Sequence, residues 1–310
     1  MTASFAIGVD VGATSTKMVR VGADLRVEGH AVVPSNLKGS DPGPFFEAAA
    51  AAAADLAAGQ TPLGVGIALC SLINEEHSGA LLSVNAPGLN GWDIRAAFAR
   101  RFGCRAAVMN DVNAYLLAEA RLGAGRGARR LLCLALGTGL SIAAMVNGRM
   151  VEIWGGIAAD AGRVILEPES EETCNAGVRG SAEALCGLAA LLRQARRRFG
   201  RDIGARELIA AARAGDPNAA AVMGAAGGRL GHLLAILSPI FFPERILVTG
   251  GTAEAGEALL GPLRARYQAL IGPYMASLAA LEGGAPRPVE IVPGALGPEA
   301  AALGSVMEFF

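Results

Sequence analysis

Aromatic residues make up only 5% of this chain, histidine occurs three times, and lysine is confined to Lys17 and Lys38. Each scarcity excludes something. With a formal net charge of −1 over 310 residues, the chain has no basic excess with which to hold nucleic acid or an anionic membrane surface. The five cysteines, Cys70, Cys104, Cys133, Cys174 and Cys186, are odd in number and form no C-x-x-C pair. They read as small buried hydrophobes in a reducing compartment rather than as a disulfide framework. His30, His77 and His232 are scattered, so spacing alone spells no metal cluster. No apolar run reaches the length of a membrane span, since the stretch from Ala48 to Ala54 is closed by Glu47 and Asp55. The amino terminus has no basic region and runs directly into a strand carrying Asp10, unlike a secretory signal. The expectation is a cytoplasmic protein without nucleic-acid or membrane partners.

What the chain has in quantity is hydrophobic residues, 52%, and glycine, 42 residues. That is enough to bury two ordinary cores, and the length favours two domains. Two glycine turns stand out, Gly8-Val-Asp-Val-Gly-Ala-Thr-Ser-Thr-Lys17 and Leu136-Gly-Thr-Gly-Leu-Ser141, each entered from an apolar, strand-like run. Glycine lets backbone N–H groups approach an anion, threonine adds a hydroxyl donor, and an acid beside the first turn can hold a metal or its water shell. Either turn alone is equally a plain strand-turn-strand. Two of them, with Asn110-Asp111 between, suggest duplicated half-domains acting on one nucleotide.

The order of elements supports the duplication. Phe5–Val11, 17–21 and 26–33 read as an antiparallel meander, followed by a helix over 44–58, a buried strand over 63–69, a short helix over Ile94–Phe102 and a strand over 106–109 that ends at Asn110-Asp111. A helix follows from Asn113 to about Leu122. Leu131–Leu136, the second glycine turn, 142–146, the tight Asn147-Gly148 turn and 149–153 repeat the opening logic. From Ser181 to Ile240 the chain reads as mostly helix with a break at Asp216-Pro217, then come a strand over 246–249, a helix over 256–276, a strand over 288–292, and a closing helix over 298–310 that packs on the first domain. The first strand starts by residue 5, leaving no room before it for a helix-turn-helix.

With its pieces in this order, the chain resembles the ROK family of sugar kinases and sugar-responsive regulators, on the actin/hexokinase type of ATPase fold. The resemblance spans nearly the whole length and rests on Asp10-Val-Gly-Ala-Thr-Ser-Thr-Lys17, Asn110-Asp-Val-Asn-Ala114 with Glu119 and Gly123, Leu136-Gly-Thr-Gly139, and Val248-Thr-Gly-Gly251. It implies an α/β protein of two actin-like, ribonuclease H-like domains with a nucleotide and substrate cleft between them. The smaller domain would be 1–112 joined by 298–310, the larger 113–297. The implied activity is ATP-dependent phosphorylation of a hydroxyl on a glucose-type sugar, an N-acetyl amino sugar or a cyclitol. Asp10, Gly12, Thr14 and Lys17 would serve the terminal phosphates, Asp10 also serving Mg²⁺ through water; Gly137, Thr138 and Gly139 would bind phosphate, and Gly250 and Gly251 would line the adenosine pocket. Asp111 falls on the family's general base, and Asn110 beside it would hold a sugar hydroxyl. The plainer reading, that Asn110-Asp111 caps the following helix, is compatible with both roles. The resemblance also implies a homodimer through the larger domain.

Departures from the family pattern leave the acceptor open. Family kinases hold a structural zinc with a histidine and three cysteines, but here the two segments read Ala159-Asp-Ala-Gly-Arg163 and Cys174-Asn-Ala-Gly-Val-Arg-Gly-Ser-Ala-Glu183. One thiolate cannot hold tetrahedral zinc, so no zinc site is expected. Asp160 and Glu183 keep the acidic character of the substrate contacts, and Arg163 either meets a substituent of the substrate or pairs with those acids. The usual Pro-Gly after the 63–69 strand is Cys70-Ser71. The segment Asn85-Ala-Pro-Gly-Leu-Asn-Gly-Trp92 offers Asn85 or Asn90 to a substrate hydroxyl, though both are also ordinary turn residues, and Trp92 reads as packing. The competing function is a non-catalytic sugar sensor on the same fold.

Overall fold

The structure, a computed structural model, describes residues 4–39, 41–281 and 287–310. The chain forms two compact units, one of Met1–Gly127, Met150–Ala159 and Ala295–Phe310, the other of Ala128–Arg149 and Asp160–Gly294.

The first unit is built on a five-stranded sheet of β1 (Phe5–Val11), β2 (Ser15–Gly22), β3 (Val27–Pro34), β4 (Gly64–Leu69) and β7 (Arg105–Asn110), in the order β3-β2-β1-β4-β7. The opening meander is antiparallel, whereas β4 runs parallel to both β1 and β7. Two short strands absent from the sequence reading, β5 (Leu72–Ile73) and β6 (Ala80–Leu82), form a separate small pair. Alternation along β1 explains the layers. Phe5, Ile7, Val9 and Val11 face α1 (Gly43–Ala57) and α2 (Ile94–Phe102) through Phe45, Ala49, Ala53, Ile94 and Phe98. Ala6 faces the other way with Val19 and Val21, towards Ala118 of α3 (Asp111–Leu122) and Ala300, Ala302 and Leu303 of α9 (Ala300–Ser305). On that face a Cβ at Gly8 would run into the carbonyl of Ala302, so glycine there is what lets the closing helix lie directly on the sheet.

Helix α3 belongs to this first unit, although the sequence reading starts the second domain at residue 113. It is held by packing on α9 and by Asn113, whose Nδ2 donates to Glu152 Oε1 (3.0 Å) and the Gly156 carbonyl (2.8 Å). At its far end the carboxylate of Glu119, fully buried, accepts hydrogen bonds from Tyr115 OH (3.0 Å), Ala124 N (2.7 Å) and Leu296 N (2.7 Å). One side chain thus ties together two stretches of chain far apart in sequence.

The second unit repeats the plan. Strands β8 (Leu131–Leu136), β9 (Leu140–Val146), β10 (Arg149–Met150), β11 (Arg245–Thr249) and β12 (Glu290–Pro293) are ordered β10-β9-β8-β11-β12, again with an antiparallel hairpin beside the first strand and parallel neighbours on its other edge. Asn147 and Gly148 both have positive φ, 53° and 75°, as the expected tight turn requires. The strand expected over 149–153 stops at Met150. Helices α4 (Ala182–Cys186), α5 (Leu188–Phe199), α6 (Ala205–Arg213), α7 (Pro217–Phe241) and α8 (Glu257–Leu281) complete the unit. Asp216 caps α7 by accepting from Asn218 N and Ala219 N, both at 2.9 Å. Contrary to the sequence reading, α7 is long and apolar enough, by length and composition, to cross a membrane. It packs instead along α8, burying Leu230, Leu233, Leu234 and Leu237, with Ser238 Oγ bonded to Tyr267 OH at 2.9 Å.

Candidate functional site

In the first unit the parallel register sets Val11, Leu69 and Asn110 side by side at the carboxyl ends of β1, β4 and β7. Ligands in open α/β sheets bind beyond such strand ends. The residues found there are Asp10, Cys70 and Asn110-Asp111. Asp10 pairs with Lys17 across the β1–β2 hairpin, Nζ to Oδ2 at 3.7 Å. Its carboxyl is pushed above the usual range because burial outweighs the attraction of Lys17. The turn carrying Gly12 and Thr14 closes with Gly12 N donating to Ser15 O (3.2 Å), and Thr14 O accepts from Ser35 N (3.0 Å).

Asn110 caps α3. Its Oδ1 accepts from Val112 N (2.9 Å) and Asn113 N (3.3 Å), and its Nδ2 donates to the Ser71 carbonyl at 3.1 Å. Both ends of the amide are therefore engaged by protein. Asp111, the first residue of α3, is partly exposed to solvent yet hemmed in by protein. Burial and the neighbouring charge of Asp10 push its carboxyl up to about 7, against hydrogen bonds from backbone N–H groups, including Val112 N at 2.9 Å. The Cys70 thiol is pushed up to about 12 by burial and then by Asp111 and Asp10. Cys70, where the family has proline, follows Leu69 at the same strand ends and donates from its N to the Val11 carbonyl at 3.4 Å, a nearness to the two acids that no local motif encodes.

Farther along, Asn85 is exposed and its side chain has no hydrogen-bond partner among the described residues, whereas Asn90 Oδ1 accepts from Ser83 N at 2.7 Å and so serves the turn. Trp92 packs edge-on against Phe45 and Phe46, with centroids at 6.4 and 5.7 Å.

The second unit gathers the other expected residues. Gly137, Thr138 and Gly139 join β8 to β9, with Gly137 N donating to Gly139 O at 3.1 Å. Gly250, at φ 90°, brings the Gly250-Gly251 elbow against the end of β8, where an added Cβ would strike the Leu136 carbonyl. Glu183 sits at the start of α4, capped by Ser181 Oγ accepting from Ala184 N (3.3 Å). Its Oε1 accepts from Arg163 Nη1 (2.5 Å) and its Oε2 from Leu140 N (3.1 Å), the first amide after the Gly-Thr-Gly turn. Arg163 Nε lies 3.5 Å from Asp160 Oδ2. The pairing reading of Arg163 thus describes the structure. The contact of Glu183 with the phosphate-type turn lay outside the sequence reading, since no local motif links positions 43 residues apart. Among the described residues no three His, Cys, Asp or Glu side chains form a metal-binding group.

A family model described as the ROK family matches residues 6–307. The chain belongs to the ROK family. A glucokinase of Thermotoga maritima is 30% identical over 281 residues, covering 86% of this chain and 88% of that protein. The crystal structure of a ROK family glucokinase from Streptomyces griseus in complex with glucose and AMPPNP superposes with a TM-score of 0.80 at 26% identity, over 97% of this chain and 98% of that one. The DNA-binding transcriptional repressor Mlc of Escherichia coli is 24% identical over 172 residues, 53% of this chain and 42% of its own. This ROK chain therefore has the two-domain, actin-like ATPase fold, with its shared order of strands in both sheets.

Proposed function

We propose that this ROK family chain transfers the terminal phosphoryl group of ATP to a hydroxyl of a hexose or hexose-like substrate, with Asp111 as general base. The observation that carries the reading is the position of Asp111, which directly follows β7 where the carboxyl ends of β1, β4 and β7 lie side by side, with burial and Asp10 pushing its carboxyl up to about 7. The acceptor hydroxyl oxygen attacks the terminal phosphorus, the bond from that phosphorus to the bridging oxygen breaks, ADP leaves, and the hydroxyl proton passes to an Asp111 oxygen. Such a proton moves late in phosphoryl transfer, so a base near neutral pKa that is already in place is sufficient. Asn110 is assigned to holding Asp111 and the Ser71 carbonyl in register.

Within the first unit Asp10, Gly12, Thr14 and Lys17 are assigned to phosphate; within the second, Gly137, Thr138 and Gly139 are assigned to phosphate and Gly250 and Gly251 to adenosine. Asp10 fits Mg²⁺, since its hard carboxylate oxygens keep lone pairs beside Lys17; the ion, held through water, would neutralise phosphate charge. Asn85, Asp160 and Glu183 are assigned to the substrate hydroxyls. The whole-length similarity to glucokinases supports the reading. An acceptor screen with ATP and Mg²⁺ over hexoses, N-acetyl amino sugars and cyclitols should yield one phosphorylated product class. Sugar binding without turnover across that screen would instead establish a sensor, and ATP consumption without a phosphorylated acceptor would remove the sugar role.

A further inference from the structure

Glu183 puts a carboxylate against a turn that, on the function proposed above, receives phosphate. Its Oε2 would lie 2.5 Å from a Cβ built on Gly139, and it accepts from Leu140 N at 3.1 Å. A negative charge there repels the phosphates unless another charge offsets it. The offset is Arg163, which gives Glu183 its shortest hydrogen bond and reaches Asp160 with Nε. The Glu183 side chain is well covered, at 13% exposure, so water screens it weakly; that of Asp160, at 53%, is left largely to solvent. Arg163 in turn closes a single turn of 3₁₀ helix, Ala161–Arg163, and pairs with Asp160 and Glu183.

We infer that Arg163 is a positioning residue for the nucleotide: it holds Glu183 against the Gly137–Gly139 turn and cancels the charge that would otherwise drive phosphate away. The Asp160–Arg163–Glu183–Leu140 chain links the residues assigned to the substrate with the turn assigned to ATP inside a single unit. This rests on the kinase reading of that turn.

Nucleotide binding by full-length protein, measured by titration with a non-hydrolysable ATP analogue and Mg²⁺, tests it. Arg163→Met should weaken binding about tenfold, the equivalent of about 1.4 kcal/mol. Adding Glu183→Gln to that variant should return the affinity most of the way to wild type, because the uncancelled charge is then gone. Glu183→Gln alone should bind the analogue at least as tightly as wild type, and Arg163→Lys, which keeps the charge, should stay close to it. The rescue is what a merely structural arginine would not give. Unchanged affinity in Arg163→Met, a double variant as weak as the single, or weakened binding in Glu183→Gln each overturns the inference; the last two variants decide it even if Arg163→Met fails to fold. Wild-type protein that binds no nucleotide would overturn the kinase reading itself, whereas tight binding that ignores Arg163 overturns this inference alone.

Discussion

A carboxylate that is both covered and beside another carboxylate gives up its proton late, and Asp111 meets both conditions. Two consequences can be measured. Because the base must be ionised to accept a proton, kcat/KM for the acceptor should fall as pH drops through about 7, and Asp111→Ala should lower kcat by roughly 10²–10⁴-fold with nucleotide binding retained. Substantial activity in that variant, or a flat profile between pH 5 and 8, would remove Asp111 as base. The second consequence concerns stability. A carboxyl whose folded pKa is raised favours the fold most below its unfolded value, and that contribution fades as pH rises through the folded value. Asp111→Asn should therefore raise Tm relative to wild type more at pH 8 than at pH 5. Asp111 was legible in the sequence because it stands in a dense local motif. The nearness of Cys70 was not, because it depends on the register of parallel strands separated by a helix, which no local pattern encodes.

At the scale of elements, the glycine turns were readable because their chemistry is local: an apolar strand, a flexible turn, a second strand. The β5–β6 pair, at two and three residues, is too short to leave a periodic trace. The stretch after Met150 misled for a related reason. Its apolar residues look strand-like, but Gly155 and Gly156 both adopt positive φ, 63° and 67°, and turn the chain aside. Gly250 carries the sharpest test here. Gly250→Ala forces a side chain into a backbone conformation, φ 90° and ψ 167°, that is essentially reserved for glycine and costs about 1–3 kcal/mol, with a collision at the Leu136 carbonyl in addition. The variant should show a lower Tm and weaker binding of an ATP analogue; wild-type values for both would show that the elbow is slack.

Over the whole molecule, the duplicated order of strands was visible from hydrophobic pattern and turns, while the path of the chain between the two units was not. Helix α3 follows Asp111 without a break and looks like the start of something new, yet its partners, Ala300, Ala302 and Leu303, lie at the other end of the sequence. Pattern reports which face of a helix is buried but not what covers it. The same limit applies to α7, whose composition suits either a membrane or a protein core and does not reveal that α8 lies along it.

The return of Ala295–Phe310 to the first unit also has a consequence for how the chain is made. On the ribosome the second unit is fully synthesised before the first can be finished, because Ala300, Ala302 and Leu303, which help to cover Ala6, Val19 and Val21, and the Leu296 amide that Glu119 awaits, emerge only after it. The first unit must wait, one face of its sheet covered only in part by α3, until the second unit has been made. A chain stopped after Gly294 should accordingly aggregate or be captured by chaperones, with early proteolytic cleavage falling in the first unit, and supplying residues 295–310 as a separate peptide should restore protection there. Equal protease resistance of the stopped and full-length chains would show that the first unit completes itself without its last helix.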